Sequence, residues 1–170
     1  MCQDETRLGL KTIPGRLITL LGIKPIGKSQ WKRDNFYLYG VVEHLSGYSF
    51  FYEFSHLEGN CFQRFLNLVS IDLGDEVAVI QFDQGSFHRL KSLDWPENII
   101  PIFQPPHSPE LNPIERVWEW LKSQLQWGNC VSLDQLRHKL SELLAAITPE
   151  RIISLTSYGF ILEALFSAAS

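Results

Sequence analysis

Gln104-Pro105-Pro106-His107-Ser108-Pro109-Glu110-Leu111-Asn112-Pro113-Ile114-Glu115 reads as a proline-stiffened loop running into a helix, and it delivers a carboxylate to that helix's first turn. Asn112 before Pro113 has the pattern of an N-cap followed by proline at the first helical position, where the missing N–H would have no partner anyway. A residue that precedes proline avoids helical angles, so the boundary is marked twice. Beyond it Ile114, Val117, Trp118, Leu121 and Leu125 recur at helical spacing and define a buried face. Glu115 sits beside that face, and two readings are open for it. It is a candidate functional acid, or it closes a capping box with Asn112 and serves only the helix. A glutamate there also suits the helix dipole.

Upstream, Val77-Ala78-Val79-Ile80-Gln81-Phe82-Asp83-Gln84-Gly85-Ser86-Phe87-His88 is an apolar, β-branched run that ends in an acid and is broken by Gln-Gly-Ser. In α/β sheets ligands and catalytic groups collect at the carboxyl ends of strands, which makes Asp83 a second candidate. Asp4, followed by Glu5, is a third. Three acids at element boundaries suit a divalent cation, because Mg²⁺ and Mn²⁺ prefer carboxylate oxygen. His88, five positions after Asp83, is a candidate for orienting a phosphate, and Asn112 for holding one; support by hydrogen bonding and helix capping are the plainer roles for each. Trp118 and Trp120 read as core residues.

The chain has 170 residues and 45% hydrophobic content, which suits one core. No stretch is long enough to cross a bilayer, and no signal-peptide order of basic and apolar regions is present. Cys2, Cys61 and Cys130 are odd in number and widely spaced, so neither a disulfide framework nor a zinc site is indicated, and a reducing, cytoplasmic setting is the simplest. The net charge of −4 argues against autonomous, tight binding to nucleic acid. Its distribution says more. Arg7, Lys11, Arg16, Lys24, Lys28, Lys32 and Arg33 follow one another with no acid between them, while eight basic residues elsewhere face all nineteen acidic ones. Such asymmetry marks either a phosphate-facing surface or a solvated hairpin.

The coarse layout is α/β. Phe36–Val42 and Tyr48–Phe54 read as strands joined through Ser46-Gly47. Asn60 is expected to cap a helix whose Phe62, Phe65, Leu66 and Val69 share a face. The strand into Asp83, a short strand at Ile99–Phe103 and the Glu115 helix follow. Further helices are expected from about Leu133 and from Thr148-Pro149, and Phe160–Phe166 closes with an apolar tail.

Cys2-Gln3-Asp4-Glu5, Phe82-Asp83-Gln84-Gly85-Ser86-Phe87-His88 and the block from Pro106 to Trp118 resemble the three acidic blocks of DDE transposases of the mariner superfamily, in its bacterial insertion-sequence branch. The Ser-Pro-Glu-Leu-Asn-Pro-Ile-Glu-x-x-Trp block is the specific part, and Glu115 falls 32 positions after Asp83. The resemblance implies an RNase H-like (retroviral-integrase-like) mixed sheet flanked by helices. It implies two-metal DNA cleavage and strand transfer, with Asp4, Asp83 and Glu115 holding two Mg²⁺ or Mn²⁺ ions. It also implies DNA as partner, touched by the basic region between the first two strands, and pairing of two catalytic subunits in a homodimer.

Departures are three. Gln84 stands where the family usually has asparagine. Only three residues precede Asp4, so the first strand is expected to be truncated. The upstream helix-turn-helix is expected to be absent, leaving residues 1–170 as one catalytic domain whose DNA-recognition part is separately encoded. Two alternatives stay open: a catalytically inactive remnant acting as an interaction module, and another RNase H-like nuclease without strand transfer.

Overall fold

The computed structural model describes residues 1–16, 18–85, 93–105 and 111–159. Within them the chain forms β1 (Cys2–Gly9), β2 (Asn35–Val42), β3 (Ser49–Phe54), α1 (Gly59–Leu73), β4 (Ala78–Phe82), β5 (Ile99–Phe103), α2 (Ile114–Gln124), α3 (Leu133–Ala145) and α4 (Pro149–Thr156). The strands make one mixed sheet in the spatial order β3-β2-β1-β4-β5. The first three are antiparallel neighbours, and β1, β4 and β5 run parallel. Gly47, at φ +75°, takes the left-handed position in the β2–β3 turn, and a side chain there would collide with the Pro149 backbone.

Alternation along the strands divides the core between the two sheet faces. On one face Cys2, Leu8, Phe36 and Leu38 meet Val117, Trp118 and Leu121 of α2, with Leu136, Leu140 and Ile152 of α3 and α4 behind. On the other, Tyr39, Val41, Ile80 and Phe82 meet Phe62, Phe65, Leu66 and Val69 of α1. Asp4 shares the parity of Cys2 and Leu8 and so belongs to the α2 face.

The expected shortening of the first strand is corrected on one side. β1 is eight residues long because it runs forward from Asp4, and each of its residues pairs with β2, from Cys2↔Val42 to Gly9↔Asn35. Towards β4 the contact is brief: Cys2↔Gln81 in register, with the Met1 amino group donating to Val79 O at 3.0 Å and the Gln81 N–H to Met1 O at 3.0 Å.

Two helix starts also differ from expectation. α1 begins at Gly59 after Glu58, with no side-chain cap, so Asn60 lies inside its first turn. α2 begins at Ile114 after Pro113, and Asn112 makes no cap: its Nδ2 donates to Gln3 O, and its buried Oδ1 accepts from no described residue. Ser132 and Thr148 cap α3 and α4 by accepting from the N–H groups of Gln135 and Arg151. The apolar tail over Phe160–Phe166 lies outside the described residues. Among the described residues no helix is long and apolar enough to cross a membrane.

Candidate active site

The first two acids come from neighbouring strands. Cys2 is level with Gln81 in the parallel β1–β4 pair. Asp4 and Asp83 each follow two residues later, with the parity of the α2 face, Asp83 just past the last residue of β4. The third acid approaches from above. α2 lies on this face, with Ile114, Val117, Trp118 and Leu121 buried against the sheet, and Glu115 in its first turn.

Asp4 reports the crowding. Burial pushes its carboxyl up to about 8, and the negative charges of Glu5 and Glu115 push the same way. The Glu5 N–H and the Trp118 indole pull against them. The indole N–H donates to Asp4 Oδ2 at 2.9 Å, which fixes the plane of the carboxylate. That contact needs Gly40, the residue opposite Asp4 on β2. A Cβ there would stand 2.6 Å from the Trp118 ring and 2.8 Å from that of Phe51, which meets Trp118 edge-on at 5.8 Å. Trp118 is therefore both core and a partner of the first acid, a role its helical spacing alone could not reveal.

Amides lock the surrounding backbone. Asn112 is 3% exposed, and its Nδ2 donates to Gln3 O at 3.0 Å, pinning the start of α2 to β1 beside Asp4. This replaces the capping-box reading and leaves a phosphate little of Asn112 to touch. Gln81 Nε2 donates to Gln104 Oε1 and to Leu111 O, joining β4 to the lead-in of α2. Gln84 Nε2 donates to Gln104 O at 2.9 Å, so the amide that follows the second acid braces the end of β5. Asp83 Oδ1 accepts the Gly85 N–H at 2.8 Å, the turn that Gln-Gly-Ser announces. Gln3 and Gln81 carried no motif and were missed from sequence.

The donor set suits a hard divalent cation: carboxylate oxygens only, one of them buried and electrostatically unfavourable without a counter-charge. Among the described residues, however, no three His, Cys, Asp or Glu side chains stand close enough to enclose an ion.

The basic candidates separate. Arg7, Lys11, Lys32 and Arg33 gather around one groove, and Lys122 of α2, which charge runs in the sequence did not single out, joins them. Arg16 lines a different hollow with Gln126. Lys24 and Lys28 are exposed on the arm between β1 and β2. His88 and His107 lie outside the described residues.

The family described as DDE superfamily endonuclease matches residues 1–137. The chain belongs to the DDE superfamily of endonucleases. The fold is found in a pre-cleavage Mos1 transpososome, with a TM-score of 0.72 and 15% identity over 91% of this chain and 51% of that one. A Mos1 mariner paired-end complex with Mn gives 0.67 and 16% over 91% and 50%. These likenesses fix the RNase H-like architecture of this DDE domain. In sequence it is 45% identical over 53 residues to the uncharacterized protein y4pE/y4sA of Sinorhizobium fredii (strain NBRC 101917 / NGR234), covering 31% of this chain and 38% of that protein. The chain thus spans about half the length of the solved transposases, and less than half of the curated relative.

Proposed function

We propose that this DDE domain is the catalytic part of a transposase of the bacterial insertion-sequence type, cutting DNA at an element end and joining it to a target. What supports the reading is that Glu115, in the first turn of α2, is near enough to raise the Asp4 pKa, on a strand beside the one that runs into Asp83, in a chain of the DDE family. Asp4, Asp83 and Glu115 would hold two Mg²⁺ or Mn²⁺ ions, an assignment supported by the all-carboxylate donor set and by a Mos1 mariner complex described with Mn. Such ions supply the charge that stabilises the attacking and leaving oxygens of an in-line phosphoryl displacement.

The chain's own residues prepare that site. Trp118 holds Asp4 through Oδ2. Asn112 and Gln81 fix the distance between β1, β4 and the start of α2. Desolvation at Asp4 weakens the screening of its carboxylate by water. Exposed Ile18, Leu20, Leu21 and Ile26 on the β1–β2 arm give a second copy something to cover, in keeping with a homodimer on paired ends. The three free cysteines accord with a reducing, cytoplasmic setting. Recognition of the terminal repeats falls to a part outside these 170 residues.

Asp83→Asn and Glu115→Gln should abolish Mg²⁺-dependent nicking of supercoiled plasmid, a loss of at least roughly a hundredfold for an acid that holds a catalytic metal, while the far-UV spectrum stays unchanged. Parental nicking by either variant would refute the triad. A folded parent that never nicks would make the chain an inactive remnant.

A further inference from the structure

We propose that the apolar tail of the chain, Phe160–Phe166, packs on the open face of β4 and β5, the side of the sheet on which α2 lies. Parallel strands are ordinarily buried on both faces, and β1, β4 and β5 form the parallel part of this sheet. On one side Ala78, Ile80, Phe82 and Ile99 are buried with the α1 core. On the other, Val79 pairs with Ile100 and Gln81 with Ile102. Val79, Ile100 and Ile102 are 47%, 48% and 53% exposed, and Val77, just before the strand, is exposed as well. The buried residues of α2 meet β1 and β2 instead, and among the described residues neither core includes these four side chains. Neighbouring aliphatic side chains left open on one face mark a surface that something covers.

Pro101 decides how the cover arrives. β5 is an edge strand, and the Gln104 N–H donates to Phe82 O on β4. By alternation Pro101 stands where an N–H would face the open edge, and proline has none to give. Addition of a further strand is thereby disfavoured, so the cover comes onto the face.

The described chain ends beside that face. α4 belongs to the α2 side, with Ile152 in its core. Just past α4, Ser157 Oγ donates to His44 O at 3.2 Å, and Tyr158 OH accepts from Arg116 Nε at 3.3 Å. His44 lies two residues past Val42, which pairs with Cys2, and Cys2 pairs with Gln81. Because β2 runs against β4, going on from Val42 to His44 and back from Gln81 to Val79 leads to the same end of the sheet. β2 and β4 are two strand spacings apart, roughly 10 Å. Seven residues extend over roughly 25 Å, or roughly 10 Å as a helix, so Phe160–Phe166 reaches the face in either form. Its sequence suits the place: Glu163 is its single charge, and Ile161, Leu162, Leu165 and Phe166 recur as pairs four apart. A tethered segment also meets the face at an effective concentration on the order of millimolar, which favours it over a second copy. The cover would brace the strand that runs into Asp83, and it stands whether or not the domain cuts DNA.

The test is a double-mutant cycle on the full chain, read as melting temperature in EDTA. Ile100→Ser/Ile102→Ser and Leu162→Ser/Phe166→Ser should each lower it by roughly 5 °C or more. Combined, the loss should fall well short of the sum, because both remove one contact. Additive losses would overturn the proposal, as would either variant melting with the parent. A second readout needs no unfolding. In a Cys61→Ser background, a short bis-maleimide should join Ile100→Cys/Leu165→Cys within one chain. Ile71→Cys/Leu165→Cys, with Ile71 exposed on α1 across the sheet, should stay unlinked. Equal linking in both pairs, or none in the first, would overturn the proposal. Links between chains would also overturn it and make the face an interface between copies.

Discussion

Asp4 is the residue on which the chemistry and the fold pull in opposite directions. Its carboxyl is buried on the α2 face, near two other acids, and held up at about 8 from an ordinary 3.8. An acid whose folded pKa is raised binds its proton more tightly in the folded protein than in the unfolded chain. The stability this gives is complete below the ordinary value and is lost as pH rises through the folded one. In EDTA, melting temperature should therefore fall between about pH 4 and about pH 8, relative to an Asp4→Asn variant that lacks this decline. A parent and variant with parallel pH profiles would show that Asp4 ionises freely. Near neutral pH a cation and a proton compete for this one side chain, which is what a metal-loaded site requires.

At the scale of elements, the β1–β2 ladder and α2 form a single unit through Trp118. Gly40→Ala should destabilise the protein by about 1–3 kcal/mol, because the added methyl meets two rigid rings. A denaturant midpoint equal to or above the parent's would mean that the indole has room to move. This unit shows what the sequence could and could not reveal. The β2–β3 hairpin, β5 and the starts of α3 and α4 were legible because turn glycine, β-branched runs and Ser or Thr caps act locally. The three acids are a proposal drawn from the motif blocks that surround them. Asn60 and Asn112 were misread as caps because each has the local pattern, while the α1 cap position is Glu58, two residues earlier, and Asn112 is oriented by the bond from its Nδ2 to Gln3 O, 109 residues away. Trp118 looked like core because periodicity reports burial and says nothing of where an N–H points. Lys122 joined the basic groove only once α2 was laid beside β1.

For the whole molecule, the mixed sheet does two jobs at different places along β1. At the start of the strand it carries Asp4 on the face that α2 covers, beside the strand that runs into Asp83, and further along it opens into a groove of cations. Acidic and basic surfaces on one strand reconcile an overall charge of −4 with a nucleic-acid substrate. The central claim is that the three acids converge on a divalent cation, and a thermal melt with and without Mn²⁺, run beside Asp83→Asn, tests it most directly. Mn²⁺ at about a hundred times its dissociation constant should stabilise the parent by about 2.7 kcal/mol. For a domain of this size that is a rise of roughly 5–10 °C, and the variant should lose most of it. A clean parental transition that Mn²⁺ leaves in place, or an equal rise in Asp83→Asn, would contradict the account.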